Sequence, residues 1–246
     1  MLAVRLHPEG LKVEEIETPS PGPGELLVRV HAAAITRNEL EWPADRLPAI
    51  VSYELSGVVV GTGEQVYALT PFDRDGVAAE CAVVPSAVLA PKPARLSHAE
   101  AAALPMGGLT AWQALFTHGK LSRGERVLVT GAAGGVGNIA VQLARHAGAH
   151  LVKSGRADLV FDTVGGELPA GDRVVTIAAE APRATYFVVE PDRAQLLELG
   201  RLADTSEIRP AVDSVFPLAQ AQEAFARVAA RGKRGKVVLG IANGRT

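Results

Sequence analysis

One stretch constrains this chain more than any other: an apolar run that ends in a cluster of glycines and passes, with no polar linker, into a helical pattern. Val127-Leu128-Val129-Thr130-Gly131-Ala132-Ala133-Gly134-Gly135-Val136-Gly137 is followed at once by Asn138-Ile139-Ala140-Val141-Gln142-Leu143-Ala144. Val136, Ala140, Leu143 and Ala147 recur at helical spacing, so the stretch reads as strand, tight turn, helix. Glycines let backbone approach a ligand closely, and the unpaired N–H groups of a helix start attract a phosphate. A dinucleotide pyrophosphate is the usual guest of such a turn. In the strict Gly-x-Gly-x-x-Gly fingerprint the first glycine falls on Ala132, with Gly134 and Gly137 in the second and third places. A glycine-rich turn with no ligand is the plainer alternative.

Composition narrows the class. At 246 residues and 48% hydrophobic content the chain can bury a real core, and no apolar run approaches a membrane span. The first residues, Met1-Leu2-Ala3-Val4-Arg5-Leu6, lack the pattern of an export signal, so a cytoplasmic location is expected. A net charge of −2 offers no broad basic field for nucleic acid. The dense basic cluster, Arg231 to Lys236, reads as a solvated turn leading into a terminal strand. The single cysteine, Cys81, excludes an internal disulfide and a multi-cysteine zinc site, and its strand-like setting predicts a core position.

Taken in order, residues 2 to about 88 show short β segments broken by turn chemistry, as expected of a barrel or sandwich. Leu26–Ala32, Leu55–Val60 and Gln65–Leu69 are the clearest. Ser97-His98-Ala99-Glu100 is a capping box, and a second helix is expected over Leu109–Thr117. Beyond the glycine turn, His150–Lys153, Leu159–Val164, Val174–Ala178 and Tyr186–Val189 read as buried parallel strands. A helix is expected over Asp192–Leu202, then a strand at Ala211–Phe216, a helix over Leu218–Val228 and a last strand at Lys236–Ile241.

Several stretches together resemble one family. They are Ile35-Thr36-Arg37-Asn38-Glu39-Leu40, Tyr53-Glu54-Leu55-Ser56-Gly57-Val58-Val59, Ala103 to Leu115, the glycine turn, Phe161-Asp162-Thr163-Val164-Gly165-Gly166 and Arg234-Gly235-Lys236-Val237-Val238-Leu239. Their content and order resemble the medium-chain dehydrogenase/reductase superfamily, in its zinc-free quinone oxidoreductase (zeta-crystallin-like) branch. The resemblance implies an α/β plus β fold: a GroES-like β-barrel domain formed by both chain ends, with an inserted Rossmann-type parallel sheet. It divides the chain into a first catalytic part at 1–104, a cofactor domain at 105–206 and a returning catalytic part at 207–246.

The resemblance also implies hydride delivery from NADPH to a quinone or an activated enone. Zinc-dependent relatives hold their metal with Cys, His and Cys or Asp; here the aligned places carry Thr36, Tyr53 followed by Glu54, and a position near Met106-Gly107, so no metal is expected. Tyr53 and Asn38 are the candidate catalytic donors in the cleft. Thr110 resembles the nicotinamide-side threonine, at the expected start of its helix. Further cofactor contacts are implied at Ala133, Gly134, Gly135, Val136 and Gly137 of the turn, and at Val164, Phe187 and Val189. A homodimer through the strand near Tyr186–Val189 is implied as well.

The chain departs from the family by being short, and the losses fall in the cofactor domain. The residue that reads the adenosine ribose sits about twenty positions after the glycines, at the end of the second strand. Ser154 and Arg156 stand there and suit the 2′-phosphate of NADP, while Asp158 has roughly the spacing for NAD but opens the next apolar run. Parallel neighbours need a crossover of about a dozen residues, and the gaps after Lys153, Val164 and Ala178 are shorter. Two explanations stand: a reduced sheet whose first strand pairs with Leu159–Val164, or segments omitted between residues numbered as neighbours. A same-fold protein that has lost its cofactor and performs a redox-neutral cyclisation or isomerisation is the alternative function.

Overall fold

The computed structural model describes residues 1–42 and 47–241. Eight strands come first: β1 (Leu2–His7), β2 (Gly10–Glu15), β3 (Glu25–Ile35), β4 (Ala49–Ile50), β5 (Glu54–Val59), β6 (Gln65–Leu69), β7 (Cys81–Pro85) and β8 (Ala90–Pro91). Two helices follow, α1 (His98–Ala102) and α2 (Pro105–Trp112). The parallel region contains β9 (Arg126–Val129), α3 (Gly135–His146), β10 (His150–Val152), β11 (Ala157–Asp162), β12 (Gly171–Thr176) and β13 (Thr185–Tyr186). The chain closes with α4 (Arg193–Asp204), β14 (Val212–Pro217), α5 (Ala221–Ala229) and β15 (Lys236–Gly240).

The long strand β3 joins the two ends of the chain. Its first half pairs with β7 and its second half with β15, and the register against β5 shifts between Val30 and Ala32. That irregularity bends the strand, so one element serves two neighbours. The resulting order is β14-β15-β3-β5-β6-β8, with β7 also on β3, and a smaller sheet β2-β1-β4 stands beside it. The barrel expected of this part does not close among the described residues. Val4, Val28, Leu55, Val66, Val84, Leu218, Ala224 and Leu239 share one buried core, which is why α5 and β15 pack with the strands from the start of the chain.

The second sheet is parallel throughout, in the order β10-β9-β11-β12-β13. Side chains alternate as a strand requires: Val127, Leu159, Phe161 and Val175 enter the main core with Leu115, Leu143, Leu196 and Leu199, while Leu128 and Val160 face the other way and form a smaller cluster that also includes Ala157 at the start of β11. β9 pairs directly with β11, as in the reduced-sheet explanation. The link from β10 to β11 is only Lys153–Arg156, yet it is sterically possible because the strands are so short. Stepping across two strand spacings and back along three residues is about 14 Å, and five Cα steps reach about 17 Å. The dozen-residue rule presumes longer strands. Several strands lie earlier than the apolar runs predict: β11 ends at Asp162, β12 begins at Gly171, and the strand expected over Tyr186–Val189 is the two-residue β13. Cys81 opens β7 half-buried, which corrects the expected core position.

Candidate functional site

The glycine turn follows β9 and is held from three sides. Gly131 adopts φ +63°, where a side chain would also collide with Thr163. The tight-turn glycine is therefore Gly131, one residue ahead of the fingerprint position, and Ala132 is exposed and tolerated. Beneath the turn, the buried carboxylate of Asp162 ties together the ends of three strands. It accepts from Thr130 Oγ1 (2.7 Å), Thr176 Oγ1 (2.9 Å) and the backbone N–H groups of Val164 and Gly165. Burial alone pushes this carboxyl up, and those four donors outweigh it, so it lies below the ordinary carboxylate range.

On the second side, Gly137 in the first turn of α3 faces the Gly131 carbonyl so closely that no Cβ fits. A Cβ on Gly107 of α2 would lie 2.9 Å from Gly135 O, so α2 packs backbone to backbone against the start of α3. Gly134 is the N-cap of α3, with no side-chain cap bond to the first N–H groups. This is a cradle that a side chain would fill, and it fits a phosphate. Ala133, Gly134, Gly135, Val136 and Gly137 are thus brought together.

The third side comes from the other end of the chain and corrects the reading of the basic cluster. Gly235 N donates to Ala133 O (3.1 Å) and forms a bridge with Gly134. Lys233 is half-buried with Nζ on Gly235 O (2.8 Å), and burial together with nearby Lys236 and Arg37 pushes its pKa down. The stem of Lys236 passes beside Gly135, where a Cβ would meet its Cδ at 2.7 Å. The stem of Lys236, read as part of a solvated turn, is therefore packed against the glycine turn, and Lys233 is held by the backbone of Gly235 with Asp213 as a nearby counter-charge.

From beside Gly135, Lys236 reaches back to Thr36 and Glu54 of its own domain. Its Nζ donates to Thr36 Oγ1 (2.9 Å) and forms an ion pair with Glu54 Oε1, and Glu54 Oε2 accepts from Met106 N at the start of α2 (2.9 Å). Burial pushes Glu54 up, opposed chiefly by the Lys236 ammonium. Behind it, the buried Glu39 accepts from Thr36 N (2.7 Å) and Ser52 N (3.0 Å), and burial raises its pKa to about 7. The places aligned with metal ligands thus hold the hydroxyls of Thr36 and Tyr53 and the thioether of Met106, and Glu54, which follows Tyr53, is already matched by an ammonium. This donor set does not fit zinc, and no group of three metal-binding side chains occurs among the described residues.

The remaining expected site residues divide. Tyr53 is half-buried in an aromatic triad with Trp42 and Phe72, ring centroids 6.0 and 5.2 Å away. Asn38 is exposed in a left-handed turn two residues beyond Thr36. Helix α2 begins at Pro105, so Thr110 is in its second turn, not at its start; it is buried and its hydroxyl donates to Met106 O (2.6 Å). Val164 is exposed beside Gly131. Phe187 and Val189 point into the main core, Phe187 against His118 at 4.5 Å between centroids. Ser154 is exposed in the short link, and Arg156 is turned away from the glycines: it pairs with Asp172 near the start of β12. Asp158 likewise accepts from Arg126 N (2.6 Å) at the start of β9, the opposite end of the sheet from the turn.

Residues 22–94 match the family described as alcohol dehydrogenase GroES-like domain, and residues 140–239 that described as zinc-binding dehydrogenase. A probable zinc-binding oxidoreductase, mitochondrial, of Arthroderma benhamiae is 30% identical over 302 residues, covering 91% of each chain. The chain belongs to the medium-chain dehydrogenase/reductase superfamily, in its quinone oxidoreductase-like branch. An oxidoreductase is the function class this membership supports. Another relative in this superfamily, the 2-methylene-furan-3-one reductase of Solanum lycopersicum, is 30% identical over 292 residues, covering 93% of this chain and 75% of its own. The quinone oxidoreductase of Thermus thermophilus, solved also with NADPH, superposes with a TM-score of 0.81 at 30% identity, covering 98% of this chain and all of that one. An alignment of 302 positions to a 246-residue superfamily member means that the Arthroderma relative carries segments this chain lacks. No helix among the described residues is long and apolar enough to cross a membrane.

Proposed function

We propose that this protein is a zinc-independent oxidoreductase that uses NADPH to reduce a quinone or an α,β-unsaturated carbonyl. One observation carries the reading: the glycine cradle closes against the stem of Lys236, whose ammonium reaches Thr36 and Glu54 beside the start of α2. A reduced nicotinamide, when bound, supplies a hydride. The N–H groups of Gly135 to Gly137 hold phosphate. Tyr53, Trp42 and Phe72 offer flat apolar surface to a planar acceptor, and the Tyr53 phenol and the Asn38 amide donate to the carbonyl oxygen as it gains electron density. The ammonium of Lys236 provides a fixed positive charge between the two sites. The names of the tomato and Thermus relatives favour these two acceptor classes.

A homodimer paired through β13, the outermost strand on its side of the parallel sheet, goes with this reading, because Tyr186 and Val188 are exposed there. The shortened β10 region favours a second reading, a redox-neutral cyclisation or isomerisation in the same cleft. One assay separates them: NADPH oxidation at 340 nm with a simple quinone and with an enone. Turnover with either supports the reductase; a protein that binds no NADPH at millimolar concentration refutes it and leaves the redox-neutral reading.

A further inference from the structure

The sheet that carries the glycine turn ends one strand early on its adenosine side. In a dinucleotide fold of strand order 3-2-1-4-5-6, the second strand extends past the glycines, is flanked by the third, and presents at its carboxyl end the residue that reads the adenosine ribose. Here the second strand is β10, three residues long, and it is the outer edge of the sheet among the described residues. The chain leaves it through Lys153–Arg156, all four exposed, and returns at once to the start of β11. The candidates for reading the ribose are carried with it. Arg156 is paired with Asp172, and Asp158 with the backbone of Arg126, both at the end of the sheet away from the glycines.

The other half of the site is intact. The cradle of Gly134 to Gly137 is fixed by Asp162, by Gly107, by Gly235 and by the stem of Lys236. Val164, at the carboxyl end of β11, lies exposed beside Gly131. Binding free energy for a nicotinamide dinucleotide therefore comes from its nicotinamide, its proximal ribose and its phosphates, with no surface among the described residues built to grip adenine or the 2′-position.

We infer that this chain selects its reductant by the nicotinamide–ribose–phosphate half alone. NADPH, NADH and reduced nicotinamide mononucleotide then form one class of ligand, a 5′-phosphorylated dihydronicotinamide riboside with or without an adenylate tail. The inference rests on the reductase reading above and deepens it, since it changes which reductants the same site accepts.

The test is equilibrium binding to the whole chain, followed by quenching of Trp42 and Trp112 fluorescence and checked by calorimetry. NADPH, NADH and the reduced mononucleotide are expected to bind with dissociation constants within ten-fold of one another. Adenosine 2′,5′-bisphosphate is expected not to displace any of them at millimolar concentration. Arg156→Ala is expected to leave the NADPH constant within two-fold. NADPH binding more than ten-fold tighter than the mononucleotide overturns the inference and leaves the reductase reading standing. So does displacement by the bisphosphate, or a loss of more than two-fold in Arg156→Ala. No saturable binding of any of the three at millimolar concentration refutes both.

Discussion

Removing the charge of Lys236 should damage this protein more than removing any surface lysine, and in a pH-dependent way. Glu54 is fully buried and its carboxylate has three partners: the Lys236 ammonium, Met106 N–H and, at 3.5 Å, the Thr36 hydroxyl. Lys236→Met keeps the stem that packs beside Gly135 and deletes the ammonium. Breaking one partner of a buried pair costs about 3–5 kcal/mol. With a urea slope of about 3 kcal/mol/M at this size, the midpoint should fall by about 1–1.7 M at pH 8. Without its counter-charge, Glu54 must take up a proton to remain buried, so its folded pKa rises further above the unfolded value of 4.5. A raised carboxyl pKa gives stability that is present below the unfolded value and lost as pH rises through the folded one. The deficit of Lys236→Met is therefore expected to be small near pH 5 and full at pH 8. Glu54→Gln in the same chain should recover part of the loss, with the double variant less damaged than the sum of the singles by about 2 kcal/mol. A deficit under about 1 kcal/mol at pH 8, or additive single losses, would refute the account of the pair.

Other consequences are quicker to check. Gly137→Ala puts a methyl against the Gly131 carbonyl, so the turn must open; a lower melting temperature and lost NADPH quenching are expected, and an unchanged titration contradicts the cradle. His98 stacks on His31 at 4.3 Å, and burial, with His31 and Lys92 near, lowers its pKa to about 4. Folded His98 thus holds fewer protons than the unfolded chain, and stability should fall as pH drops from about 6.5 towards 4. His98→Asn should flatten that slope in urea titrations; an unchanged slope assigns the effect elsewhere. Finally, Val188→Lys, two residues beyond β13 and exposed, should convert the proposed dimer to a monomer by light scattering, and a dimer that persists places the contact on another surface.

The local signals in the sequence were legible because local physics makes them. The Ser97–Glu100 capping box forms as written, with both reciprocal bonds, and the glycine turn lies between strand and helix. What depended on partners distant in sequence was not. Gly107 and Gly108 delayed the expected start of α2 because glycines usually weaken a helix. In the fold they serve contact instead, Gly107 against the backbone of Gly135 and Gly108 against Leu199. The late boundary at β12 has a similar cause. Gly171-Asp172-Arg173 looks like a turn, but Arg173 pairs with Glu125 (2.6 Å) and lets the polar end of the strand stay half-exposed. Lys236 was hidden for the plainest reason: its partner Thr36 is 200 residues away, and a Gly-Lys-Arg-Gly-Lys run gives no sign of which lysine turns inward.

These long-range ties explain how the cofactor region can be so short and still hold its turn. In a full-length parallel sheet, crossover helices brace the strands from both faces. Here several crossovers are loops, and the bracing of the carboxyl ends passes to side chains: Asp162 joins β9, β11 and β12, and Gly235 and Lys236 bind the turn to the sheet of the other domain. The bonds cluster at one end of the sheet. At the other end, Asp158 and Arg173 only fasten strand starts. Shortening of this kind removes what the adenosine half of a ligand would touch while preserving the phosphate cradle. Stability of the cradle is thereby linked to the docking of β15, so a variant that loosens Lys236 is expected to weaken cofactor binding and domain contact together.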